Sequence, residues 1–240
     1  MGATRGRARG VGVLVAVVLV AVVAALGGRA GQGNPGPTSP TPTTRTTVEL
    51  PTTGDGPTGS PGAAAAPVDR LVVGVPAPDL APYRRAMFGD GWDYDPASGC
   101  NTRERILIAE SLVPAAVDDR CRPSRGRWRS AYDGITTTDP ADLEVDHLVP
   151  LADVWRAGGA AWTLLRREAY ANDLTDPNTL IAVTSHANRS KSDSTPDQWL
   201  PPDHGAWCTY ASAWVEVKVR WHLNVTPAEK ATLVQIVGGC

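Results

Sequence analysis

The sequence predicts an α+β domain stapled by disulfides. Two short apolar strands, around Leu143–Val145 and Leu180–Val183, are separated by a stretch of helical spacing from Asp153 to Ala171. The C-terminal part is strongly helical in its periodicity. Four cysteines, Cys100, Cys121, Cys208 and Cys240, stand in a chain with an export signal, which predicts two disulfides.

Taken in order, Arg5, Arg7 and Arg9 precede an almost unbroken apolar run from Val11 to Leu26, and small residues follow. The run suits a signal-peptide core and falls short of the ~20 residues of a membrane span. Residues 1–30 therefore read as a signal peptide or N-terminal anchor, and the remainder as secreted or held on the outer side of the cytoplasmic membrane. A membrane is a partner only if that segment is an uncleaved anchor. Residues 31–68 are Pro, Thr, Gly, Ser and Ala with almost no large apolar side chain. Such a stretch cannot offset its ordering entropy and reads as a disordered linker. The folded domain is expected over 69–240.

Within it, Tyr83 to Cys100 places aromatics between turn residues and reads as packed loop. Asn101 or Thr102 can cap a helix running to Leu112. Short extended pieces are expected near Trp128 and Tyr132. The helical stretch Asp153–Ala171 is interrupted at Gly158-Gly159. A helix should follow the second strand through Asn188 to Lys191. Tyr210, Trp214, Val217 and Trp221 recur at spacings of four, three and four, which puts them on one buried helix face; core packing is the reading, rather than a platform for stacked bases. Thr226-Pro227-Ala228-Glu229 carries an N-cap, a Pro at N1 and a capping-box Glu. The cysteines allow three pairings, of which Cys100–Cys121 with Cys208–Cys240 is expected. No pair has the C-x-x-C spacing of a zinc site.

Charge narrows the functional classes. Of 23 basic and 25 acidic residues, five and two lie in residues 1–66, leaving 18 against 23 and a net of −5. A broad duplex-gripping surface would be basic. Seven Arg between Arg103 and Arg129 form the main basic cluster.

Three segments are weighed together as candidates for chemistry: Val145-Asp146-His147-Leu148-Val149-Pro150, then Asn178-Thr179-Leu180, then Asn188-Arg189-Ser190-Lys191. Strand neighbours face opposite ways, so Asp146 and His147 can serve one site only where the strand ends, and Pro150 is consistent with that. Asn188 and Lys191, three apart, share a helix face. Each piece alone is more often structural.

Together, in this order, they resemble the ββα-metal motif of HNH endonucleases. The stretch from Tyr83 to Cys240 is similar to a family of secreted actinobacterial HNH proteins related to the DUF1524 (GmrSD C-terminal) group. The likeness rests on Gly99-Cys100-Asn101-Thr102-Arg103, Asp146-His147, Trp162, Tyr170-Ala171-Asn172-Asp173, Trp199-Leu200-Pro201-Pro202, Cys208-Thr209-Tyr210 and Val217-Lys218. It implies an HNH core with a long helical insertion and C-terminal helices, and an exported metal-dependent endonuclease acting on DNA in preference to RNA, with no stable protein partner. His147 would be the general base. Asp146 and Asn188 would be ligands of one Mg²⁺ or Mn²⁺. Asn178, or alternatively Asn172, would orient the His147 ring, and Lys191 would offer charge to a phosphate oxygen. The alternative is an envelope-associated binding module that keeps the fold with little or no turnover.

Overall fold

The computed structural model describes residues 67–240. The expected export segment, and the linker apart from its last two residues, lie outside the described residues. Among the described residues no helix is long and apolar enough to cross a membrane.

Among the described residues, four small antiparallel ladders and six α-helices make an α+β domain. Strands β1 (Tyr94–Asp95) and β2 (Cys100–Asn101) form a hairpin. Helix α1 (Thr102–Ala109) follows directly, and Asn101 and Glu104 close a reciprocal capping box at its start. The helix stops short of Leu112. Strands β3 (Ala116–Val117) and β4 (Pro123–Arg125) pair next, then β5 (Trp128–Arg129) with β6 (Thr136–Thr137). Two disulfides, Cys100–Cys121 and Cys208–Cys240, tie the β1–β2 hairpin to the β3–β4 turn and the final residue to a helix.

The central unit is β7 (Leu143–His147) paired along its full length with β8 (Leu180–Thr184), in the register His147↔Leu180 to Leu143↔Thr184. Helix α4 (Ser185–Lys191) leaves β8 without a loop, started by the Thr184 hydroxyl accepting from the Ala187 amide. Between the two strands lie α2 (Leu151–Arg156), a 3-10 turn at Gly159–Ala161 and α3 (Leu164–Ala171). Helices α5 (Trp207–Trp221) and α6 (Pro227–Gly238) complete the chain, with the Thr226–Glu229 capping box present at α6.

Strand alternation divides the hairpin's two faces. Leu143, Val145, Ala182 and Leu180 pack with Ile106, Leu107 and Trp128 in a small core, and the Trp128 indole donates to the Leu107 carbonyl at 2.6 Å. Glu144 and Asp146 lie on the opposite face, toward α4. A larger core joins α2, α3 and α5 with Val183 and Ala187; Tyr210, Trp214 and Val217 are buried in it, as the periodicity required, with Trp221 packed at its margin. Within this core the Lys218 ammonium is wholly buried, 2.5 Å from Asp153 and 3.1 Å from Glu229. That cluster ties α2 to α5 and α6.

The outer edge of β8 is satisfied by side chains rather than by another strand. The Ala182 amide donates to Glu110 at 2.8 Å and the Thr184 amide to Ser130 at 3.2 Å. Burial pushes the Glu110 carboxyl up to about 7 from an ordinary value of 4.5, against the Ala182 hydrogen bond. The folded state therefore holds a proton that the unfolded chain releases, and stability is full below pH 4.5 and falls as pH rises to about 7. For this half-buried group the loss is of the order of 2 kcal/mol. Glu110→Gln keeps an acceptor for the Ala182 amide without the charge. Urea midpoints from pH 4.5 to 8 should show the variant more stable at pH 8 and flatter across the window; parallel curves would reject this account.

Candidate active site

The end of β7 brings Asp146 and His147 to one place from opposite faces of the strand. Both line an open cleft of ≈ 530 Å³ together with Asn188 and Arg189 of α4 and Arg85 from the N-terminal loop. Of the sequence-predicted residues, Asp146, His147 and Asn188 thus share one cavity.

Asp146 is buried, and one carboxylate oxygen, Oδ2, accepts from the Tyr132 hydroxyl and from the Lys191 ammonium, each at 2.7 Å. Burial, with the Asp146 charge beside it, holds the Tyr132 phenol well above its ordinary range, so it acts as a donor. No hydrogen bond among the described residues engages Oδ1. Asn188 donates through Nδ2 to Glu144 at 2.6 Å, and its Oδ1 is likewise unengaged.

His147 is sandwiched between Trp92 (5.5 Å between ring centroids, 11° between planes) and Tyr170 (5.9 Å, 20°). Its Nε2 lies 2.9 Å from the Ala171 carbonyl. A carbonyl only accepts, so Nε2 carries the proton and Nδ1 is the ring's proton acceptor. Burial pushes the imidazole down to about 3; the Arg85 and Lys191 charges act the same way and the Ala171 hydrogen bond opposes them. The ring is neutral at ordinary pH.

Two expectations are corrected here. The Asn178 side chain does not orient His147: it donates to Glu216 on α5 at 2.8 Å. Nor does Asn172, whose side chain accepts from the Asp93 amide and donates to the Gly91 carbonyl. The ring is held instead by the backbone carbonyl of the preceding residue, Ala171, at the end of α3. Lys191 is also displaced from its expected role. It is fully buried, and its ammonium reaches Asp146 and, at 3.1 Å, the His147 carbonyl, so it neutralises a carboxylate and meets no phosphate.

Sequence reasoning missed Tyr132, Trp92 and Arg85. Tyr132 and Trp92 stood in segments read only as packed or extended loop. His186, His204 and His222 are all exposed, in line with their omission. A second cleft of ≈ 510 Å³ contains Asp153 and Glu229, but both carboxylates are held by Lys218.

Residues 119–236 match the family of GmrSD restriction endonucleases, C-terminal domain, and a relative in Arthroderma benhamiae is 43% identical over 141 residues, 59% of this chain and 68% of the relative. The chain belongs to this family. The relative bears the name "Uncharacterized secreted protein". No solved structure matches. The family match takes in Tyr132, Asp146, His147, Asn188 and Lys191; Tyr83, Arg85 and Trp92 precede it.

Proposed function

We propose that this protein is an exported endonuclease of HNH type that hydrolyses phosphodiester bonds of DNA with the help of one divalent cation. The observation that carries the reading is the convergence of Asp146, His147 and Asn188 from the end of a strand hairpin and the following helix on one cleft, in a chain of a restriction-endonuclease family. Two disulfides and the relative's name as a secreted protein support export.

The donor set fits a hard cation. Asp146 and Asn188 line one cleft, and neither Oδ1 has a hydrogen-bond partner among the described residues. Among the described residues there is no group of three or more His, Cys, Asp or Glu that could hold a metal. That argues against a closed zinc site and favours Mg²⁺ or Mn²⁺, which keep several waters and accept phosphate oxygens. When bound, such an ion supplies charge stabilisation at the scissile phosphate and the leaving oxygen.

The chain's own residues do the rest. His147, held by the Ala171 carbonyl and two aromatic rings, takes a proton on Nδ1 from a water in the cleft. The water oxygen bonds to phosphorus as the bond from phosphorus to the leaving ester oxygen breaks. Tyr132 and Lys191 fix Asp146 through Oδ2, which turns its other oxygen to ligand duty.

Supercoiled plasmid should be nicked with Mg²⁺ or Mn²⁺ and left intact with a chelator in excess. Calorimetry should find one Mn²⁺ site that Asp146→Ala removes. No nicking under any of these conditions would overturn the reading. The closed Asp146–Lys191 pair favours one alternative, an envelope-associated binding module without turnover, and metal-independent binding to isolated cell wall would support it.

A further inference from the structure

We propose that Arg85 is the residue that grips the substrate's phosphate in this cleft, supplied by an N-terminal segment outside the matched family region. This inference rests on the phosphodiesterase reading of the same site.

A cleft that receives a phosphodiester needs a cation not already neutralised by the protein. The charges around this one are almost all spoken for. Asp146 is paired with Lys191, Asp193 with Arg156 at 2.9 Å, and Glu144 with Arg189 at 3.4 Å. Arg85 has neither an ion pair nor a hydrogen bond among the described residues. It lines the open cleft with Asp146, His147 and Asn188, and also the small crevice behind it, formed with Trp92, His147 and Ala171.

An exposed, unpaired arginine is common on protein surfaces. This one differs in how it is mounted. It opens the 3-10 turn Arg85–Phe88, whose Phe88 is buried with its ring edge-on to Tyr170, the ring that stacks on His147. Tyr83 also packs edge-on against Phe88. The Arg167 guanidinium donates to the Met87 carbonyl at 2.6 Å. The turn is therefore fastened to the same aromatic stack that orients the base, and Arg85 is displayed on a fixed support.

A guanidinium presents a planar fork of donors to two non-bridging phosphate oxygens. Contact of this kind positions a nucleic-acid backbone without reading its sequence. It also fits a domain with a net acidic surface, where binding is local rather than spread over a basic face.

The test compares Arg85→Gln, Arg85→Lys and Arg84→Gln, the last a neighbouring exposed arginine that does not line the cleft. Plasmid nicking is measured with Mn²⁺, and binding of a short DNA duplex is measured on the His147→Ala background across a salt series. Arg85→Gln should raise KM about tenfold or more, weaken duplex binding similarly, and make the salt dependence shallower by about one in log–log slope. Arg85→Lys should recover part of both losses, and Arg84→Gln should behave as wild type. Wild-type KM and duplex binding in Arg85→Gln would overturn the proposal, as would an equal loss in Arg84→Gln. A lowered Tm that Arg85→Lys fails to restore would assign Arg85 to the fold instead and overturn it too. If the unaltered chain does not nick, the endonuclease reading fails, while duplex binding still decides the role of Arg85.

Discussion

Replacing His147 by alanine is expected to slow plasmid nicking by about 10²- to 10⁴-fold, the range in which a positioned general base contributes. The size follows from how the ring is fixed. Its Nε2–H is committed to the Ala171 carbonyl, and Trp92 and Tyr170 cover its two faces, leaving Nδ1 as the proton acceptor. The substitution also strands the Ala171 carbonyl and leaves a gap between two aromatic rings, at a stability cost of about 1–3 kcal/mol. Nicking should therefore be measured well below the variant's Tm. Asn178→Ala gives the contrast, because its carboxamide bonds to Glu216; nicking should stay within about twofold of wild type. A His147→Ala chain that nicks as fast as wild type would remove His147 from the mechanism. A loss in Asn178→Ala as deep as that in His147→Ala would mean that the Glu216 contact is not its working one.

The sequence revealed what is local and little of what is not. A helix cap at Asn101, the capping box at Thr226, the glycine break at Gly158-Gly159 and the period of α5 are each signalled within a few residues, and each is present. Strand β7 ending on Asp146-His147 was legible from its alternation and Pro150. The six shortest strands span two or three residues each, too few for a period to show. Within the site, the failures share a cause. Ala171 contributes a carbonyl, and since every residue has one, no side-chain pattern can single it out. Asn178 carries the right functional group in the right interval, yet α5 offers it Glu216 from 38 positions away. Lys191 stands beside Arg189 and Ser190, both exposed, and nothing in its neighbours marks it as the buried one of the three. Its three-residue spacing from Asn188 was the available clue: two residues on one face of α4 must both look at β7, where Glu144 and Asp146 wait. Tyr132 reaches Asp146 from the loop between β5 and β6, and nothing in its neighbours announces a carboxylate.

Lys191→Met is expected to cost about 3–5 kcal/mol of stability, because it removes one partner of a buried ion pair and leaves Asp146 with the Tyr132 hydroxyl alone. Methionine keeps much of the side-chain length, so the loss reports charge more than volume. The double variant Lys191→Met with Asp146→Asn removes both charges. It should regain a large part of that stability, since the cost lies in the unmatched charge. Activity should move differently. Under the proposed mechanism the double variant remains inactive, because the carboxylate intended for the metal is gone. The single variant leaves Asp146 anionic, and a divalent cation can then supply the missing positive charge. Ligand linkage requires that a cation bound only by the folded state raise Tm, and the rise on adding Mn²⁺ should be greater in Lys191→Met than in wild type and absent from the double variant. Thermal melts of the three chains with and without Mn²⁺ read this directly. Equal Mn²⁺ shifts in all three would show that Asp146 does not meet the ion, and the division of labour proposed for its two oxygens would be wrong. A Lys191→Met chain as stable as wild type would show instead that the buried pair contributes nothing to the fold.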